Sequence, residues 1–130
     1  MSESFQQDGY NTVMAYLVAD EAPRLADTLR DLFGATEKMR FESETGAHIE
    51  LLIGDTVVMI GGGPGQEART AMLYVYVPDP DATYAQALVA GCTSFEEPGD
   101  QEYGDRRAGF EDFAGNRWFV AKHIGHAHSH

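Results

Sequence analysis

The sequence predicts an α+β fold, two βαβββ modules forming a curved mixed sheet with a concave cleft. Three observations carry this. Residues 16–20 (YLVAD), an amphipathic stretch ending at Gly34-Ala35 and residues 49–59 (IELLIGDTVVM) are answered later by residues 76–79 (YVPD), a stretch ending at Gly91-Cys92 and residues 110–120 (FEDFAGNRWFV). The offsets agree: Asp20 to Asp79 is 59 positions, Gly54 to Gly115 is 61, and Glu50 and Glu111 each stand four residues before the paired glycine. Within each copy the apolar pattern switches between the strand period of two and helical spacing. A duplicated unit that cannot bury its apolar face alone pairs with its twin, and the hollow between the copies is where a ligand is expected.

Module one is placed at residues 12–61, after an N-terminal extension at 1–11. Residues 12–18 are β-rich and read as a strand. Asp20 is the expected N-cap, Pro23 lies in the first turn, and Leu25, Leu29, Leu32 and Phe33 follow at helical spacing until Gly34 supplies a left-handed stop. Strands are expected at 36–42, 47–53 and 56–60, with Gly54-Asp55 turning the last pair. Residues 61–65 (GGGPG) read as a flexible connector, part of a linker at 62–69; a phosphate loop is disfavoured because no Lys-Ser/Thr pair follows.

Module two, residues 70–124, repeats the order. A strand is expected at 71–77, then Asp79 as N-cap with Pro80 at the first helical position. Tyr84, Ala87 and Leu88 are the expected buried stripe. Strands at 93–97, 106–111 and 117–123 follow, with a polar loop at 98–104 and Gly115-Asn116 turning the last pair. Residues 125–130 form a His-rich tail capable of loose metal capture.

Strand alternation sorts the side chains. Leu73, Val75 and Val77 alternate with Met72, Tyr74 and Tyr76, and Ile49, Leu51 and Ile53 alternate with His48, Glu50 and Leu52. The aliphatic rows belong beneath the helices; the mixed rows belong on the concave face.

Composition bounds the function. At 130 residues the chain holds one domain with a real core. Nine basic against 21 acidic residues give a net charge of −12, which argues against nucleic acid or an anionic membrane as partner. No apolar run approaches the roughly 20 residues of a spanning helix, and no signal peptide is visible. The lone Cys92 excludes an internal disulfide and fits a reducing cytoplasm; it reads as a small packed residue.

Glu50, Glu111 and His48 are the candidate catalytic residues. A carboxylate buried in the cleft would carry a raised pKa and serve as general base; the competing reading pairs Glu50 and Glu111 with Arg107, Arg117 or His48. Met72, Tyr74, Tyr76 and Phe119 form an aromatic, polarizable floor suited to a flat or amphipathic ligand, or else fill space between strands. Arg107 shares the parity of Glu111 and would clamp an anionic group or neutralise a neighbouring carboxylate. The expected ligand-binding set is thus His48, Glu50, Met72, Tyr74, Tyr76, Arg107, Glu111 and Phe119.

Residues 17–20 (LVAD), 32–35 (LFGA), 48–55 (HIELLIGD), 103–109 (YGDRRAG) and 112–118 (DFAGNRW) resemble the vicinal oxygen chelate superfamily, which includes glyoxalase I, extradiol dioxygenases, fosfomycin-modifying enzymes and bleomycin-resistance proteins. The Tyr-Gly-Asp-Arg motif at 103–106 is similar to an uncharacterised branch of it. The resemblance implies paired βαβββ modules, a homodimer and a small organic ligand. It also implies four metal positions on the concave strands, which fall here on Val13, Glu50, Met72 and Phe119. One carboxylate among Val, Met and Phe cannot replace a hydration shell. The expectation is therefore a cytoplasmic small-molecule-binding protein with no metal and no cofactor; the alternative is a lyase or isomerase using Glu50 or Glu111 as base.

Overall fold

The computed structural model describes residues 5–67 and 69–125. The chain divides into two compact units, Met1–Arg69 and Thr70–His130. Each unit has its own four-stranded mixed sheet and one helix in the order βαβββ.

The first unit runs β1 (Ala15–Val18), α1 (Ala22–Phe33), β2 (Thr36–Ser43), β3 (Gly46–Ile53) and β4 (Thr56–Gly62). The sheet order is β1-β4-β3-β2, with β1 parallel to β4 and the other pairs antiparallel. In α1, Ala22, Leu25, Ala26, Leu29 and Leu32 form one buried stripe against β3 and β4. Leu17, Ile49, Leu51 and Ile60 meet it with no exposed surface, each such burial being worth about 1.5–3 kcal/mol. Gly34, at φ 62°, ends the helix as the sequence indicated.

Two expectations fail in this unit. The N-cap is Glu21, not Asp20, and its side chain caps nothing. Pro23 requires a position in the first turn, where its missing N–H costs nothing, so the helix starts at Ala22 and strands Asp20 outside it. The glycine run is not a loose connector either. Gly61 and Gly62 complete β4, and a Cβ on Gly61, Gly62 or Gly63 would collide with the Tyr16 phenol, the Ala19 carbonyl or the Thr45 carbonyl. These glycines serve close approach of chain to chain.

The second unit runs β5 (Met72–Tyr76), α2 (Pro80–Val89), β6 (Thr93–Asp100), β7 (Asp105–Glu111) and β8 (Arg117–His123), in the sheet order β5-β8-β7-β6. Asp79 caps α2 as expected, accepting from the Ala82 N–H at 3.2 Å. The expected stripe does not form. Of α2 only Pro80 and Ala87 are buried; Leu88 is 38% exposed, and the half-buried Tyr84 donates to Ser94 Oγ at 2.6 Å. The sheet supplies the bulk instead, through Phe110, Trp118 and Val120, all fully buried. Residues 98–100, expected in a loop, extend β6.

The run from Asp112 to Trp118 is a structural device. Buried Asp112 accepts from the backbone of Ala114 at 2.9 Å, the backbone of Asn116 at 3.0 Å, the Asn116 amide at 3.2 Å and the Trp118 indole at 2.8 Å. Asn116 Oδ1 then receives the Ala71 N–H at 2.9 Å, tying the turn to the start of β5. No described helix is long and apolar enough to cross a membrane.

Candidate functional site

The ladders show which positions of the two units correspond. Tyr16 pairs with Met59 and Met59 with Glu50; Tyr74 pairs with Phe119 and Phe119 with Gly109. Tyr16 lies five residues before its helix cap Glu21, and Tyr74 five before Asp79, which fixes the match. The counterpart of Glu50 is therefore Gly109, not Glu111. The glycine-to-glycine alignment miscounts by two because Gly54 opens its turn, whereas Gly115 closes a longer one. Glu111 shares the parity of Gly109 but sits one rung further, at the sheet end, paired with Arg117 at 3.1 Å. Val13, the first metal-type position implied by the resemblance, is 82% exposed.

In the first unit, strand alternation puts Tyr16, His48, Glu50 and Met59 on the sheet face opposite α1. Glu50 is 5% exposed. Its Oε1 accepts from the Tyr10 phenol and its Oε2 from His48 Nε2 at 2.8 Å. A carboxylate only accepts, so the shared proton rides on Nε2; Nδ1 lies 3.4 Å from the Tyr16 hydroxyl. Burial pushes the Glu50 carboxyl up, but the hydrogen bonds from Tyr10 and His48 and the nearby charges of His48 and Lys38 outweigh it. The net shift is downward, against the raised value expected from the sequence, and Glu50 is an ionised anion at neutral pH. Its hydrogen bond in turn raises the Tyr10 phenol.

Glu50 opens onto a cavity of about 340 Å³. Phe5, Tyr10, Met14 and Met59 supply its apolar walls, and Gln6, Asn11 and Thr12 its neutral polar groups. A second cavity, about 310 Å³, is lined by Phe41, Ser43, Thr45, His48 and Gln66. The His48–Glu50 pair thus stands between two hollows of the same unit.

The second unit closes its polar groups on one another. Asp105, 2% exposed, accepts from Tyr74 at 2.7 Å, Tyr76 at 2.9 Å and His123 Nδ1 at 2.9 Å. The Tyr74 and His123 hydrogen bonds lower its carboxyl against the opposing effect of burial. Arg107 forms a two-pronged pair with Glu96 at 2.6 and 3.0 Å, touches the Tyr103 hydroxyl at 3.0 Å and lies 4.2 Å from the Phe119 ring centroid. Glu111, considered from the sequence as its partner within this unit, pairs with Arg117 instead. Phe95 covers Gly109, where a Cβ would strike the ring, and packs edge-on to Phe119 at 5.3 Å. Met72, Tyr74 and Tyr76 are 60%, 41% and 64% exposed.

The sequence reading missed Tyr10, Met14 and Met59 in the first unit and Phe95, Glu96, Tyr103, Asp105 and His123 in the second. Met59 was recoverable from alternation along β4. Tyr10 was not, since it lies in the segment set aside as an extension and reaches Glu50 only through the fold.

The donor set does not fit a divalent metal. The four positions that the resemblance implies, Val13, Glu50, Met72 and Phe119, offer one carboxylate, and both of its oxygens already accept hydrogen bonds. Among the described residues no three His, Cys, Asp or Glu side chains gather in a way that could hold a metal ion. Burial, helped by Asp112, pushes the Cys92 thiol up to about 11, which disfavours the thiolate at neutral pH.

No protein-family model and no curated protein matches the chain. Solved structures do. TioX from Micromonospora sp. ML1 superposes with a TM-score of 0.72 at 21% identity, covering 88% of this chain and 99% of that one. A glyoxalase/bleomycin resistance protein/dioxygenase family enzyme from Burkholderia phytofirmans PsJN gives 0.68 at 14% identity, covering 85% and 97%. The fosfomycin resistance protein FosX of Listeria monocytogenes gives 0.67 at 16% identity, covering 88% and 93%. The chain has the glyoxalase/bleomycin resistance/dioxygenase fold.

Proposed function

We propose that this chain is a cytoplasmic, homodimeric small-molecule-binding protein that holds its ligand without a bound metal ion. The observation that carries this is the Glu50 cavity. Its volume of about 340 Å³ falls in the range of small-ligand sites, and its walls combine aromatic and thioether surface with a single oriented carboxylate. The resemblance to metal-free bleomycin-resistance-like proteins points the same way, since three of the four metal-type positions it implies carry side chains that do not bind a hard divalent ion. A proton-transfer role for Glu50 loses support, because a lowered pKa makes a weak base at neutral pH. Glu111, tied to Arg117 at the sheet end, is no better placed.

The test is calorimetry with Zn²⁺, Ni²⁺, Mn²⁺ and Fe²⁺ on a chain with His126, His128 and His130 replaced by Ala, with and without Glu50→Gln, beside a fragment screen read on the methyl resonances of Met14 and Met59. The expected result is no Glu50-dependent metal uptake and fragment-induced shifts at both methionines. Stoichiometric metal binding abolished by Glu50→Gln would overturn the reading.

A further inference from the structure

We infer that the Glu50 cavity takes an organic cation, an ammonium-bearing ligand with an apolar body; this rests on the reading of that cavity as the binding site. Among the described residues Glu50 is the one acidic side chain of the lining and no lysine or arginine lines it; the Lys38 charge acts on the carboxyl from outside the lining. At 5% exposure it is withdrawn from water, and its two hydrogen-bond donors are a phenol and an imidazole. A buried carboxylate also gains from a positive charge brought into direct contact, and its remaining lone pairs are free to accept an ammonium. The surroundings suit a cation as well. The Lys38 ammonium lies 4.9 Å from the Tyr10 ring centroid, so the aromatic surface over Glu50 already receives a cation of the chain's own. Met14 and Met59 add polarizable contact for the apolar body. The net charge of −12 raises the local concentration of cations and disfavours anions. The Tyr10 phenol occupies Oε1 and is the group an incoming ammonium displaces.

The experiment compares phenethylammonium, its neutral analogue phenethyl alcohol and the anionic hydrocinnamate on the full chain, following the Met14 and Met59 methyl resonances by titration. The ammonium is expected to shift both methionines and to bind about tenfold more tightly than the alcohol, as a charge-assisted hydrogen bond requires, with hydrocinnamate weakest. In Glu50→Gln that preference disappears. In Tyr10→Phe, which removes the competing phenol, the ammonium binds more tightly than in the parent chain. Alcohol or hydrocinnamate binding as tightly as the ammonium overturns the cationic class and leaves the cavity as a ligand site. No shift with any of the three overturns both. Should Glu50→Gln fail to fold, the Tyr10→Phe titration decides, and ammonium binding that is unchanged or weaker there defeats the inference.

Discussion

The two units share a strand order and a helix but use the sheet face opposite that helix differently. Where the first has Glu50 beside an open cavity, the second has Gly109 sealed by the Phe95 ring. Where the first has His48 bordering a second hollow, the second has Arg107 locked to Glu96 and laid over Phe119. The helices diverge in the opposite sense: α1 buries five side chains, α2 only Pro80 and Ala87. Duplication preserved the ladder, because backbone hydrogen bonding tolerates any side chain. The side chains on it differ, one sheet face bordering a cavity and the other closing on its own polar groups.

The turns are the sharpest place to break this comparison. Asp112→Ala leaves four donors without their acceptor, three of them in Asn116 and Trp118, and is expected to cost roughly 3 kcal/mol or more in urea unfolding. Its opposite number at the other hairpin, Asp55, is exposed and its carboxylate accepts from the Thr56 hydroxyl of the same turn, so Asp55→Ala should cost about 0.5 kcal/mol or less. Equal losses would show that the two turns carry the same load.

The helices come next. Leu29→Ala empties a fully buried site and should cost about 3 kcal/mol, whereas Leu88→Ala in α2 should cost about 0.5 kcal/mol. A large loss at Leu88 would mean that α2 is covered by another surface, as a dimer contact would provide.

Acid titration sharpens the contrast between the two buried carboxylates. Glu50 and Asp105 both lie below their ordinary values of 4.5 and 3.8 in the folded chain, so each adds stability that is complete above those values and is lost as pH falls through the lower, folded ones. Glu50→Gln should therefore flatten the loss of stability below about pH 4.5 without changing the neutral-pH slope, as read from urea midpoints across pH. An unchanged acid limb would place Glu50 at an ordinary pKa.

The smallest effect is spectroscopic. The Asp105 hydrogen bond is the main cause of the raised Tyr76 phenol, so Asp105→Asn should lower the pH at which that phenol ionises, followed by tyrosinate absorbance against a Tyr76→Phe control. No movement would remove Asp105 from its place at the centre of the second unit's network.

Local signals were enough to read much of this chain. The duplication, both helices, the Gly34 stop, the Asp79 cap and the alternation separating Ile49 and Leu51 from His48 and Glu50 depend on neighbours a few residues away, and so does the pairing of His48 with Glu50, two positions apart on one strand face. Tertiary structure alone decided the rest. It placed Tyr10 on Glu50 across 40 positions of sequence and reversed the expected direction of the Glu50 pKa. It gave Arg107 to Glu96 and matched Glu50 with Gly109 rather than Glu111. A pKa, an ion-pair partner and a cavity depend on what reaches a side chain through space, and that follows from strand register and turn length, neither of which the spacing of similar residues fixes by itself.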